Sequence, residues 1–311
     1  MRFLVAGGAG LIGSAMCARL IARGDEVVCL DNLVTGSRSN VEELSGHRRF
    51  AFVEADVTTG IPVEGPFDVV VNLACPASPV DFGPLALEIL AVGSTGVRNL
   101  LDAARKWNAR FMQASTSEVY GEPLVHPQPE SYWGNVNPIG PRSVYDEAKR
   151  FGEALTVAYH RKYAMPVRIA RIFNTYGPRM RPDDGRVISN LVTQALAGRP
   201  LTVHGDGAQT RSFCYVDDEV DGLLALVDSD LVGPVNIGND TEFTVLAVAK
   251  LVIELTGSDS PIVFAPRPTD DPTQRRPDLT LARSRLSWAP TTALAEGLQA
   301  TIEWFEKHPA G

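Results

Sequence analysis

Tyr145 and Lys149 stand four residues apart in Tyr145-Asp146-Glu147-Ala148-Lys149. On a helix they share one face, so the ammonium can lower the phenol pKa and let the tyrosine act as a base near neutrality. The stretch Ser115-Thr116-Ser117-Glu118-Val119-Tyr120-Gly121 adds hydroxyls and a carboxylate. Thr116, Ser117, Glu118, Tyr145 and Lys149 are therefore the expected catalytic residues of one site. A lone Tyr-x-x-x-Lys also occurs by chance as a surface pair, and Glu118 alone also reads as a solvated strand-end acid, so the elements around them must decide.

Those elements begin with an apolar run, Phe3 to Ala6, followed by Gly7-Gly8-Ala9-Gly10-Leu11-Ile12-Gly13 and a helical pattern through Met16, Leu20 and Ile21. This is strand, glycine turn and helix, with Gly7, Gly10, Leu11, Ile12 and Gly13 placed to meet a pyrophosphate on free backbone N–H groups. A second strand, Glu26 to Leu30, ends at Asp31-Asn32. Asp31 should accept hydrogen bonds from an adenosine ribose and repel a 2′-phosphate, which favours NAD over NADP; the nearby Arg38 softens that preference. Arg49–Glu54 and Phe67–Leu73 read as the next strands, and they bring Asp56-Val57 and Leu73-Ala74 to the cofactor's side as candidates. Ala109–Ala114 is the fifth strand and delivers Thr116 to its carboxyl end, where ligands collect in such sheets.

The segment from Leu85 to Trp107 is helical in period but interrupted by Gly93 and Gly96, which implies a close backbone or ligand approach. Pro123 to Pro141 reads as a long substrate-lining loop. Ser143 is a plausible N-cap for a helix to about Tyr163, and Val167–Ile172 follows as a strand. Beyond it come shorter mixed elements: helix 186–197, strand 201–204, Arg211–Val216 and helix 218–228. The expected fold is α/β, a Rossmann-type doubly wound parallel sheet with a smaller mixed α/β lobe. Residues 1–173 would hold the cofactor and 174–311 mainly the substrate, with late segments returning to the first domain.

At 311 residues with 29 Lys plus Arg against 37 Asp plus Glu, the chain has a net charge of −8 and no basic field for nucleic acid or an anionic membrane. Cys17, Cys29, Cys75 and Cys214 are scattered and read as reduced. No run is long enough to span a membrane, and Met1–Ala6 is too short for a signal segment, so a soluble cytoplasmic protein is expected. No His or Cys cluster has metal-ligand spacing, so no metal is expected. Arginines recur on the later loops at Arg179, Arg181, Arg186, Arg211, Arg267, Arg275 and Arg276. Two or three should meet a diphosphate or carboxylate, and the rest should be solvated or pair with neighbouring aspartates.

The glycine turn, Asp31, Thr116, Tyr145 and Lys149, in this order, resemble the extended short-chain dehydrogenase/reductase family of nucleotide-sugar enzymes, over nearly the whole chain. Leu73–Pro79, Glu130–Arg142 and Arg171–Met180 look like its UDP-glucuronate decarboxylase branch. The resemblance implies a bound NAD, oxidation of a UDP-sugar at C4 with Tyr145 as base, and loss of CO2 from UDP-glucuronate to give UDP-xylose. It also implies substrate contacts at Pro76, Glu118, Arg142, Asn174, Arg179, Arg186, Arg211 and Arg275, with Arg142 and Arg275 as candidates for the uronate carboxylate. A homodimer through the 85–107 and 143–163 helices is a further implication. Dehydratase relatives carry an Asp-Glu pair where this chain has Ser117-Glu118, which disfavours water elimination. Relatives usually carry Asn in the helix where Gly93 stands, so release of UDP-4-keto-xylose is an alternative outcome. UDP-glucuronate 4-epimerase and a non-catalytic NAD-sensing module are the other readings.

Overall fold

The computed structural model describes residues 1–308. The strands β1 (Arg2–Ala6), β2 (Glu26–Asp31), β3 (Phe50–Glu54), β4 (Val69–Asn72), β5 (Arg110–Thr116) and β6 (Val167–Ile172) join Val235–Ile237 in one seven-stranded sheet. From one edge its order is Val235–Ile237, β6, β5, β4, β1, β2, β3, and every pairing is parallel. After β3 the chain crosses back to the far side of β1, so the order reverses between β1 and β4. A crevice opens at such a switch point, beyond the strand carboxyl ends.

Continuous apolar runs suit strands covered on both faces, and Phe3, Leu4, Val5 and Ala6 are all fully buried. Phe3 and Val5 pack with Met16, Leu20, Val220, Leu223 and Trp288 on one face. Leu4 and Ala6 pack with Val70, Leu100, Phe111 and Val167 on the other. Each fully buried Val, Leu, Phe or Met side chain among these contributes about 1.5–3 kcal/mol through burial. A separate core of Ile188, Leu191, Val192, Val248, Val252, Leu298 and Ile302 supports the smaller lobe.

The later segments do not stay in that lobe. The helix Val216–Asp228 packs its Val220, Leu223 and Val227 into the large sheet's core, and Val235–Ile237 extends the sheet beside β6. That helix starts at Val216 rather than 218, and the span 211–216 divides into two short strands, Thr210–Ser212 and Cys214–Tyr215, which pair in different small sheets.

The segment expected to run as one helix from Leu85 is broken: Ala86–Ala91 and Val97–Trp107 flank a π-helical turn, Val92–Gly96. The glycines admit neighbouring elements. A Cβ at Gly93 would lie 2.5 Å from the Ala148 Cβ, and one at Gly96 would lie 2.8 Å from Val57 Cγ2. The helix Ser143–Tyr163 is capped by Arg142, not Ser143, and no side chain bonds its first N–H groups. The proline-rich loop before it contains no helix and is tied down by the bridges Gly121 to Asn135 and Gln128 to Pro277.

Candidate active site

At the switch point, Gly7 follows β1 with φ 75° and donates its N–H to Leu30 O at 2.8 Å. A Cβ at Gly7 would lie 2.6 Å from Ala74 N, and one at Gly13 would collide with Gly7 O, so only glycine lets the turn press against β4 and the helix Leu11–Arg23. No side chain caps that helix at Gly10, which leaves its start to an anion. Asp31 accepts from Ala9 N at 2.9 Å and Leu33 N at 2.8 Å while facing the crevice, and burial raises its pKa against those two bonds. Asp56 accepts from Thr58 N at 2.7 Å and from Asn32 Nδ2 at 3.1 Å. Its pKa is lowered despite some burial, because the Thr58 and Asn32 bonds favour the carboxylate. Asp31, Asn32, Asp56, Val57, Leu73 and Ala74 line one end of the crevice together, and Arg38 is turned away to stack 4.7 Å over Phe52. A dinucleotide fits this cradle: carboxylates lie at the end that an adenosine would reach, glycine-lined backbone lies at the middle, and among the described residues Asp31 forms no salt bridge with a cation that could meet a 2′-phosphate.

The crevice continues into a cavity of about 620 Å³. Thr116, Ser117, Glu118, Arg142, Tyr145, Lys149, Asn174, Arg179, Arg186 and Arg211 all line it. β5 presents Thr116, whose hydroxyl accepts from Glu118 N at 3.2 Å and starts a short 3-10 turn. The helix Ser143–Tyr163 presents Tyr145 and Lys149 from the other side. Lys149 Nζ donates to Ala114 O at 3.0 Å and lies 5.6 Å from the Tyr145 ring centroid. Phe82 stacks on Tyr145 with centroids 5.0 Å apart. The phenol is not lowered in this protein: burial raises its pKa first, and Cys75 and Glu118 add to the rise against the Thr116 hydroxyl and Arg186. The lowering expected from Lys149 is thus not seen in the protein alone, where desolvation sets the direction.

Glu118 is clamped by arginines. Arg142 Nη2 donates to its Oε2 at 2.6 Å, and Arg275 Nη2 lies 3.5 Å from the same oxygen. Burial would raise the Glu118 pKa, but Arg275 and then Arg142 overcome it and hold the carboxylate at about 2. Glu118 is therefore an anion at any working pH, a poor proton donor but a fixed hydrogen-bond acceptor. Asp146, beside Tyr145, moves the opposite way, to well above the usual carboxylate range, through burial and the charge of Glu118.

Two expected substrate contacts lie elsewhere. Arg275 is 1% exposed and outside the cavity wall; it donates to Ser117 O and to Gly121 O, so it holds the Glu118 turn from behind. Pro76 lines the crevice end with Ala74 and Ala91, not the arginine end. Each of the loop arginines has an acid partner: Arg179 with Glu43, Arg181 with Asp81, Arg186 with Asp184, Arg211 and Arg267 with Asp271, Arg275 with Glu118 and Arg276 with Glu242. Phe82, Asp81, Asp184 and Asp271 also line the cavity and were not among the expected residues. An excess of arginines in an acidic chain was the one signal that could have pointed to these aspartates.

The sequence profile described as the NAD dependent epimerase/dehydratase family matches residues 3–238. The chain is 50% identical over 305 residues to UDP-glucuronic acid decarboxylase 1 of Arabidopsis thaliana, covering 98% of this chain and 70% of that protein. It is 47% identical over 306 residues to UDP-glucuronic acid decarboxylase 1 of Danio rerio, covering 98% of this chain and 73% of that one. Among solved structures, UDP-glucuronic acid 4-epimerase from Bacillus cereus, in complex with UDP-glucuronic acid and NAD, superposes with a TM-score of 0.89 at 29% identity, covering 99% and 100% of the two chains. The dTDP-glucose 4,6-dehydratase DesIV of Streptomyces venezuelae, solved with NAD bound, gives 0.88 at 29% identity, covering 99% of this chain and 97% of that one. The glycine cradle, the Thr116, Tyr145 and Lys149 cluster and a match over most of its length agree that the chain belongs to the NAD dependent epimerase/dehydratase family.

Proposed function

We propose that this protein is a UDP-glucuronate decarboxylase that uses NAD and releases CO2 and UDP-xylose. The observation that carries the reading is 50% identity to decarboxylases across 98% of the chain, against 29% to the solved UDP-glucuronate 4-epimerase. Gly7, Gly10, Leu11, Ile12, Gly13, Asp31, Asn32, Asp56, Val57, Leu73 and Ala74 would hold the cofactor. When bound, NAD supplies a two-electron acceptor for C4, gives the electrons back to C4 at the end, and brings a positive charge beside Tyr145.

Tyr145 takes the proton of the C4 hydroxyl while Thr116 bonds the same oxygen. Lys149, fixed on Ala114 O, keeps a positive charge on that face and favours the phenolate. The C4 ketone then stands β to the C6 carboxylate. The C5–C6 bond breaks, CO2 leaves, and the electron pair passes into the ketone as an enolate. C5 next takes a proton, and Tyr145 returns its proton to the C4 oxygen as that carbon is reduced. Glu118, ionised, orders a water at C5 rather than expelling a hydroxyl. Arg142, Asn174, Arg186 and Arg211 form the wall for the anionic groups of the substrate, and Arg179, bonded to Glu43, stands at its rim. The cradle within 1–173 serves the cofactor and most of the arginine wall comes from 174–311, which supports that division of labour.

A homodimer is part of this reading. Leu87, Leu90 and Phe151 are 77%, 40% and 50% exposed on helices that pack side by side, an apolar patch suited to a second copy. Among the described residues no helix is long and apolar enough to cross a membrane, and we assign the protein to the cytoplasm. Incubation with UDP-glucuronate and NAD tests the activity: CO2 and UDP-xylose support it, and UDP-galacturonate without CO2 selects the epimerase instead.

A further inference from the structure

Asp271 lines the cavity among arginines. Its Oδ2 accepts from Arg211 Nη2 at 2.9 Å, and its Oδ1 lies 3.9 Å from Arg142 Nη1. Arg267 Nε lies 3.8 Å from Oδ2, and Arg267 also donates to the main-chain oxygen of Asp271. Arg142, Arg211 and Asp271 all line the cavity. The four guanidiniums of Arg142, Arg211, Arg267 and Arg275 are ion-paired with two carboxylates, Glu118 and Asp271, with the raised Asp146 carboxyl acting on Arg142 and Arg275, so the cluster keeps a positive surplus. Burial is the first cause of a lowered Arg211 pKa, with Arg275 and Arg267 adding to the fall and Asp271 and Glu118 opposing it. A positive surplus suits the doubly negative diphosphate of a nucleotide sugar.

The backbone on both sides of Asp271 is pinned. Asn137 Nδ2 donates to Asp270 at 2.9 Å, Thr273 N donates to Glu122 at 2.9 Å, and Gln274–Arg275 pairs with Thr210–Arg211. The Asp271 side chain itself is 23% exposed.

We propose that Asp271 is an internal counter-anion: it holds Arg211 in the ligand-free protein and yields it to the diphosphate of the nucleotide sugar, thereby setting nucleotide affinity. The inference rests on the UDP-sugar reading above and adds a competitor within the chain. Removing an ordinary structural ion pair would loosen Arg211 and weaken anion binding. Removing a competitor strengthens it. The sign of the change therefore separates the two roles.

The test is calorimetric titration of UDP into the NAD-loaded protein for the wild type, D271N, D271S, D271E and R211A. D271N and D271S, two ways of deleting the charge, should each bind UDP about tenfold tighter, a free-energy change of ~1.4 kcal/mol, as for one screened charge contact. The gain should shrink as NaCl is raised. D271E keeps the carboxylate and should stay near wild-type affinity, and the gain should vanish when D271N is combined with R211A. Unchanged or weaker UDP binding by both charge deletions overturns the proposal while wild-type binding leaves the UDP-sugar reading standing. Absence of UDP binding by the wild type overturns that reading and this inference with it.

Discussion

Tyr145 is buried and paired with Phe82, and its phenol stays protonated in the protein alone. With Tyr145 as the proposed base, Y145F should retain NAD binding by fluorescence titration and lose turnover by about 10²–10⁴-fold, the usual worth of a general base. Glu118 lies between two buried guanidiniums, and E118Q would leave both under-compensated; breaking a buried pair costs about 3–5 kcal/mol. The sign with pH follows from a folded pKa of about 2, below the ~4.3 of a free glutamate. The stabilisation is complete above the unfolded value and is lost as pH falls toward 2. In a D146N background, which removes the carboxyl that the Glu118 charge raises, the melting-temperature gap between the parent and E118Q should hold constant from pH 8 to about 5 and close below about 4.

At the scale of the elements, the π turn and the helix Ser143–Tyr163 approach so closely that Gly93 has no room for a side chain over Ala148. Alanine is the better helix former by ~1 kcal/mol, yet G93A should lower stability by about 1–3 kcal/mol, because overpacking exceeds the propensity gain. A G93A protein that melts higher than wild type would show that the two helices separate freely. Glu219, on the helix Val216–Asp228, is fully buried beneath Thr175. The Thr175 hydroxyl lies 2.9 Å from Phe173 O and 3.3 Å from Glu219 Oε2, and the bond it donates to Glu219 favours the ionised form of that carboxyl. Burial pushes that carboxyl up to about 8. A folded pKa above the unfolded one gives stability that is present at low pH and lost as pH rises through the folded value. E219Q should therefore lose less melting temperature than wild type between pH 5 and pH 9, by about 3–6 °C at the alkaline end. Equal slopes for the two proteins would mean that Glu219 is already ionised.

Across the whole molecule, the parts legible in the sequence were those whose geometry is local. The glycine turn, Asp31 after β2, and Tyr145 with Lys149 are set by spacing along one or two elements. The parts that stayed hidden depend on residues far apart in sequence. Arg275 reads like a surface ligand until it is seen donating to Ser117 and Gly121, and the Asp271 partnership with Arg211 needs the strand Gln274–Arg275 paired beside Thr210–Ser212. The phenol pKa of Tyr145 escaped for the same reason, since its burial comes from Phe82 and Cys75.

The apolar patch of Leu87, Leu90 and Phe151 carries the prediction at the largest scale: sedimentation should give twice the chain mass, and F151E should shift it to the monomer. Monomeric wild type would remove the dimer from the account. The central claim is tested most directly by carbon NMR of one reaction, UDP-glucuronate labelled at C6 with catalytic NAD. The account predicts that the label appears entirely as CO2 and bicarbonate, with UDP-xylose formed in equal amount and no net NADH. UDP-4-keto-xylose with matching NADH would keep the decarboxylation and contradict the final reduction, and label retained in UDP-galacturonate or in unreacted UDP-glucuronate would contradict the claim itself.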